Sequence, residues 1–167
     1  TLYIDVGGGS TELSLFSNEK FISSKSFNIG TIRFLFDKVL SSEWLKLEEW
    51  LKSLPIKDEN INCICTGGNI SAITKLFGNK DYTVNNKQIE NAIEELEKYS
   101  FHERMQVFSL RPDRADVIIP AAKIFNNILK WGNIDTVIAP QLGLADGLAI
   151  ELYKNYIREN RPNPLEY

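Results

Sequence analysis

Two carboxylates bracket three glycines and two hydroxyls in Asp5-Val6-Gly7-Gly8-Gly9-Ser10-Thr11-Glu12. Glycine lacks a Cβ, so its backbone reaches positive φ and lets an anion come close to the amides. Successive amides in such a turn make a concave anion site, and Ser10 and Thr11 add hydroxyl donors. Gly7, Gly8, Gly9, Ser10 and Thr11 therefore read as a phosphate cradle. Asp5 and Glu12 would repel a phosphate unless a hard cation lay between, which points to Mg²⁺ held by Asp5 and Glu12. An ordinary hairpin turn needs only one or two glycines. Three of them with two hydroxyls and flanking acids exceed what turn geometry asks for.

The elements around this segment follow from periodicity. Leu2 to Val6 reads as a strand that stops at the glycines, and Glu12 to Phe16 alternates as a second. A turn at Asn18-Glu19 leads to a third strand, Lys20 to Phe27. Gly30 breaks the extended pattern, Thr31 to Leu40 has helical spacing, and a second helical stretch from Ser42 to Leu54 ends at Pro55. A fourth strand, Asn62 to Thr66, runs into Gly67-Gly68, with Asn69 as the expected N-cap of a helix over Ile70 to Phe77. An extended piece lies around Tyr82-Thr83-Val84. An acidic helix over Lys87 to Tyr99 and a short one over Phe101 to Phe108 follow. Arg114 to Trp131 predicts a long helix in which Pro120 marks a kink or a late start. Asp135 to Ala139 predicts the fifth strand, and Leu144 to Arg158 the last helix.

Three consecutive strands imply antiparallel hairpins, and the later alternation implies right-handed parallel crossovers. The expected fold is α/β: a mixed five-stranded sheet in the order βββαβαβα, with helices on its faces. One domain over 1–160 and a tail over 161–167, marked by Pro162 and Pro164, account for the 167 residues.

Composition narrows the class. A hydrophobic content of 43% and a charged content of 25% are those of a globular chain. The net charge of -3 argues against a general nucleic-acid binder. No apolar run reaches a membrane span, so neither nucleic acid nor membrane is an expected partner. Cys63 and Cys65 alternate onto one face of a strand, where two buried thiols fit a reducing, cytoplasmic setting better than a disulfide or a zinc site. His102, the single histidine, reads as a surface or capping residue, and Trp44, Trp50 and Trp131 as core anchors. Glu90, Glu94, Glu95 and Glu97 read as a solvated helix face.

The segment Ile4-Asp5-Val6-Gly7-Gly8-Gly9-Ser10-Thr11-Glu12-Leu13 resembles the second phosphate loop of the exopolyphosphatase/guanosine pentaphosphate phosphatase (Ppx/GppA) family. That family belongs to the actin, sugar-kinase and heat-shock ATPase superfamily, whose halves have a ribonuclease H-like core. Further segments narrow the resemblance. Asn28-Ile29-Gly30-Thr31-Ile32-Arg33-Phe34 is similar to a family segment, Gly-x-[Val/Ile]-Arg, after the third strand, although Phe36 stands where the family often has an acid. A cation in the first turn of a helix runs against the dipole, so Arg33 predicts an anionic partner, either substrate or a structural carboxylate. Cys65-Thr66-Gly67-Gly68-Asn69 resembles the superfamily's strand-end glycine loop, where Gly67, Gly68 and Asn69 would meet an anion. Arg111 to Ala121 resembles the Arg-Ala-Asp-x-Ile motif; Arg114 there would bind phosphate or pair with Asp116 or another carboxylate. Gly143-Leu144-Ala145-Asp146-Gly147 matches a Gly-Leu-x-x-Gly segment, with Ala145 and Asp146 where the family commonly has Arg and Glu.

The resemblance implies hydrolysis of the terminal phosphoanhydride of polyphosphate or guanosine pentaphosphate, with Mg²⁺ as cofactor and Glu12 positioning water and metal. It covers only the second half of the family's core. No residue here matches the family's earlier phosphate loop or its catalytic Glu, so the chain reads as a domain of a longer protein. The preceding domain is then its expected partner, a homodimer is possible, and the chain alone should be inactive. Two other readings stay open: an ATP-binding kinase or ATPase of the superfamily using Gly67-Gly68-Asn69, and a regulatory phosphate-binding domain without turnover, which Ala145 would favour.

Overall fold

In the computed structural model, residues 1–55 and 61–160 are described, the side chain of Leu144 excepted. The tail expected over 161–167 lies outside the described residues. Along the chain come β1 (Leu2–Val6), β2 (Thr11–Ser17), β3 (Lys20–Phe27), α1 (Thr31–Leu35), α2 (Ser41–Ser53) and β4 (Cys63–Thr66). They are followed by α3 (Gly68–Phe77), β5 (Thr83–Asn85), α4 (Asn86–Glu97), α5 (Phe101–Val107), α6 (Pro112–Ala115), α7 (Ile118–Trp131), β6 (Thr136–Ile138) and α8 (Leu144–Glu159).

The sheet has six strands in the order β3-β2-β1-β4-β6-β5, one more than the five expected. The added strand is the extended piece after Tyr82. At three residues β5 is too short for an alternation to declare it, and it exists through antiparallel pairing with β6, Val84 opposite Val137. β1, β4 and β6 run parallel, while β2 folds back antiparallel on β1 and β3 antiparallel on β2.

Period-2 alternation sends Leu2, Ile4, Val6, Leu13, Leu15, Cys63, Cys65, Val84 and Val137 into one core, against Ile70, Ile73, Ile89, Ala92, Phe125 and Ile128 of the helices. Both cysteines are buried and free, as the alternation implied. The other sheet face is more open: Tyr3 is 42% exposed and Ile138 39%. Trp44 stacks edge-on against Phe34 and Trp131, and Trp50 against Phe27, all packed on the core. The acidic face of α4 is tied down at two points, Glu90 to Lys130 and Glu97 to Lys123, which join α4 to α7.

Several boundaries moved for local reasons. The helix expected over Thr31 to Leu40 stops after five residues, where Asp37 adopts φ 53°. The long helix expected from Arg114 breaks into α6 and α7, with Pro120 in the first turn of α7, where its missing N–H costs no bond. α3 begins one residue before Asn69, on Gly67 with φ 110°, so Asn69 lies inside the first turn instead of capping it. α8 leaves nearly every described side chain in solvent, Asn155 being half-buried. Among the described residues no helix is long and apolar enough to cross a membrane.

Candidate functional site: the hairpin end of the sheet

The cross-strand register sets the two carboxylates directly opposite one another: Asp5 of β1 pairs with Glu12 of β2. Both leave the core face by alternation, since their neighbours Ile4, Val6, Thr11 and Leu13 are buried. Asp5 also pairs with Thr66 of β4, and Glu12 with Ser26 of β3. A polar row, Ser26, Glu12, Asp5 and Thr66, thus crosses four strands at one level. Glu12 Oε1 accepts from Ser10 Oγ at 2.6 Å and from Ser26 Oγ at 2.9 Å. No side chain among the described residues donates to Asp5. Partial burial, and after it the negative charge of Glu12, hold its carboxyl above the ordinary value of 3.8. A cation between the two would relieve both causes.

The loop Gly7 to Ser10 is closed by the Gly7 amide donating to the Ser10 carbonyl at 2.9 Å. Its carbonyls are turned toward α1. Gly7 O accepts from Thr31 N at 2.9 Å, Gly8 O from Ile32 N at 2.9 Å and Arg33 N at 3.3 Å, and Gly9 O from Arg33 Nε at 2.7 Å. The amides of Gly8, Gly9 and Ser10 donate to no group among the described residues. Three consecutive free donors beside two opposed carboxylates have the chemistry to receive an anion that brings its own cation.

Space constrains only Gly8 among the three hairpin glycines. None of Gly7, Gly8 and Gly9 takes a positive φ, contrary to the expectation from sequence; Gly67 alone among the described glycines does. A Cβ on Gly8 would come within 3.1 Å of Ile32 Cγ1, whereas one on Gly9 would meet nothing within 4 Å. Thr11 also departs from expectation. It is fully buried, and its hydroxyl donates to the Ile29 carbonyl at 2.5 Å, because alternation turns Thr11 to the core while Glu12 faces solvent. Ser10 keeps its hydroxyl at the site, bonded to Glu12.

The second glycine loop is adjacent. An added Cβ on Gly67 would lie 3.4 Å from Asp5 Oδ1. Arg114 covers the start of α3: its Nη1 donates to Asn69 Oδ1 at 3.2 Å, and its Nη2 lies 2.5 Å from where a Cβ of Gly68 would stand. Its carboxylate neighbour is Asp113, Nε to Oδ2 at 3.8 Å, and not Asp116. Of the residues singled out from sequence, Asp5, Gly7 to Ser10, Glu12, Gly67, Gly68, Asn69 and Arg114 are brought to one end of the sheet. Arg33 reaches the same place, where its partner among the described residues is the neutral Gly9 carbonyl and not a structural carboxylate. His102 is exposed on α5, stacked on Phe101.

Three contributors escaped the sequence reading. Gly30 packs against the hairpin so tightly that a Cβ would stand 2.4 Å from Gly8 O. Ser26 reaches Glu12 across β2 and β3. Glu43, 8% exposed, accepts from the Asn28 amide at 2.9 Å and pairs with Lys46, which lowers its pKa and anchors α2 beside the start of α1. The period-3.6 pattern assigns Glu43 to a helix but carries no sign of its distant partner.

Mg²⁺ ordinarily takes one or two carboxylates, keeps waters and meets substrate phosphates. Among the described residues no group of three or more His, Cys, Asp and Glu side chains converges. The opposed pair Asp5 and Glu12 would supply two ligands, and it carries a local excess of negative charge. That donor set fits Mg²⁺ carried with a phosphate rather than a closed structural site.

The sequence pattern of the Ppx/GppA phosphatase family matches residues 1–156. No curated protein matches. Among solved structures, the fold is similar to the type II variant of the Aquifex aeolicus Ppx/GppA phosphatase, with a TM-score of 0.71 and 22% identity over 90% of this chain and 56% of that one. An exopolyphosphatase from Cytophaga hutchinsonii is similar with a TM-score of 0.68 and 16% identity, over 92% of this chain and 57% of that one. The chain thus spans little more than half the length of these structures, and at such identities the likeness speaks for the fold.

Proposed function

The chain belongs to the Ppx/GppA phosphatase family, and from that premise we propose that it is the second half of a phosphohydrolase that cleaves terminal phosphoanhydrides of polyphosphate or guanosine pentaphosphate. The observation that carries the proposal is the row of free amides on Gly8, Gly9 and Ser10 next to the Asp5–Glu12 pair. The strand order β3-β2-β1-β4-β6-β5 supports reading this half as ribonuclease H-like.

The three amides hold the oxygens of the terminal phosphoryl group, where negative charge is redistributed as the bridging bond breaks. Asp5 and Glu12 are the residues that would hold Mg²⁺, and when bound it supplies charge neutralisation between phosphoryl oxygens and carboxylates. Ser10 and Ser26 keep the Glu12 carboxylate turned to the site, so that it also orients the attacking water. The base that takes the proton from that water comes from the preceding domain. Support for such a domain is that the solved relatives are nearly twice as long as the part this chain matches. Closure of the two halves excludes bulk water and completes the constellation.

The intact protein, assayed with polyphosphate, guanosine pentaphosphate and ATP, is expected to release phosphate from one of the first two in a Mg²⁺-dependent manner. Asp5→Ala should lower kcat by about a hundredfold or more. Unchanged metal-dependent hydrolysis in that variant would overturn the role given to Asp5, and turnover by residues 1–167 alone would overturn the two-half reading.

A further inference from the structure

Arg33 lies at the phosphate hairpin yet is turned to its back. The peptide group explains what that does. A trans peptide points its carbonyl and its amide N–H in opposite directions, and no peptide bond among the described residues is cis. The carbonyl of each residue is therefore coupled to the amide of the next. Thr31 N on Gly7 O turns the Gly8 amide away from α1; Ile32 N and Arg33 N on Gly8 O turn the Gly9 amide away; Arg33 Nε on Gly9 O does the same for the Ser10 amide. The three free amides all face the opposite side.

Two of these peptide planes are fixed by main-chain donors, which any sequence with a helix at this place would supply. The third, between Gly9 and Ser10, is fixed by a side chain alone. No neighbouring atom crowds Gly9 either, since a Cβ there would meet nothing within 4 Å. Without a donor on Gly9 O this peptide would be free to rotate and withdraw the Ser10 amide from the cradle.

We propose that Arg33 is a positioning residue: its Nε–H clamps the Gly9 carbonyl and thereby aims the Ser10 amide at the phosphoryl group, with no contact to substrate. In the five-residue α1, Arg33 stands in the last turn as well as the first, so the helix dipole does not decide its placement and the carbonyl contact does. The carbonyl it meets carries partial negative charge, and the exposed guanidinium keeps its remaining donors in water. The base of the clamp is rigid. Gly30 lets α1 approach, the Thr11 hydroxyl holds the Ile29 carbonyl, and Glu43 holds the Asn28 amide. The assignment of what the clamp aims at rests on the phosphate reading above; the clamp itself does not.

The test separates hydrogen bond from charge. Glutamine places its amide nitrogen the same number of bonds from Cα as the Nε of arginine, and carries no charge. Lysine keeps the charge but moves the donor one bond further out, and methionine has neither. Binding of inorganic tripolyphosphate with Mg²⁺ to residues 1–167 is measured for Arg33→Gln, Arg33→Lys and Arg33→Met, together with the amide NMR shift of Ser10 in the ligand-free chain. The expected result is binding within about twofold of the parent for Arg33→Gln and about tenfold weaker for Arg33→Met, the loss expected of one hydrogen bond made to a charged donor. The Ser10 amide should move in Arg33→Met and stay in Arg33→Gln. Full binding by Arg33→Lys with loss in Arg33→Gln would make Arg33 a charge for the substrate and overturn the proposal. If the parent chain binds no tripolyphosphate, the phosphate reading fails, and the Ser10 shift still decides the clamp: an unmoved Ser10 amide in Arg33→Met overturns it.

Discussion

The Gly7–Ser10 hairpin and the Gly67–Gly68 loop lie at the same end of neighbouring strands, β1 and β4, where Asp5 is paired with Thr66. Both are glycine-rich turns beside a helix N-terminus, yet their geometry is opposite. In the hairpin no glycine has a positive φ, the carbonyls face the helix, and the amides are free. In the second loop Gly67 takes φ 110°, and an arginine side chain lies across the start of the helix. The first loop is approached closely because Gly30 at the start of α1 is small, and the second uses the conformational freedom of Gly67 to turn a strand into a helix. The same residue type therefore carries two different demands, and among the described residues only the hairpin of these two loops presents a row of free donors.

Substitution by alanine separates these demands, and the largest effect is expected outside both loops. Gly30→Ala would set a Cβ 2.4 Å from Gly8 O and 2.5 Å from the carbonyl carbons of Gly8 and Gly9, all backbone atoms with little room to give. A loss of about 2–3 kcal/mol is expected in chemical denaturation. Gly9→Ala, whose Cβ meets nothing within 4 Å, should stay within about 0.5 kcal/mol. Equal losses at the two positions would remove the argument that close approach of α1 shapes the hairpin.

The second loop should respond to conformation and not to crowding. Gly67→Ala forces a side chain into φ 110° and should cost about 1–2 kcal/mol. Gly68→Ala would place its Cβ 2.5 Å from Arg114 Nη2, the far end of a flexible side chain that can swing away. Its cost should be below about 1 kcal/mol. A larger loss at Gly68 than at Gly67, measured by the same denaturation, would mean that the Arg114–Asn69 contact and not the backbone turn defines this loop.

The smallest effect is electrostatic. The folded pKa of Asp5 lies above the ordinary 3.8, so across that interval the folded chain binds more protons than the unfolded one. Stability associated with Asp5 is then present at low pH and lost as pH rises through the folded pKa. Without metal, Asp5→Asn should gain on the parent chain as pH is raised from about 3 to 7, by a few tenths of a kcal/mol for a group this exposed. Added Mg²⁺ should stabilise the parent and leave Asp5→Asn unchanged. A variant whose stability tracks the parent at every pH, with and without Mg²⁺, would leave the Asp5–Glu12 pair without the frustration assigned to it.

Much of this was legible in the chain itself. Alternation placed β2 and both cysteines of β4, since period 2 over four to eight residues is a strong signal, and the turn at Asn18-Glu19 placed β3. The spacing of Asp5 and Glu12 around four loop residues was enough to expect them face to face, because a hairpin of that length leaves few registers. Pro120 gave two options for α7, and its position in the first turn chose between them. β5 was not legible, because three residues carry no period and an edge pairing belongs to the partner strand as much as to the segment.

What the sequence determined by itself was local: which segments are extended or helical, that one glycine hairpin is flanked by acids, and that the chain resembles the family whose pattern it matches. The tertiary structure decided direction. Whether Thr11 offers its hydroxyl or hides it, whether Arg33 pairs with a carboxylate or a carbonyl of the chain, and why residue 30 is glycine all depend on atoms brought together from fifteen or more residues away. A hydrogen bond has a donor, an acceptor and an angle. Residue type and spacing supply the first two, but the angle exists only once α1 is packed against the hairpin.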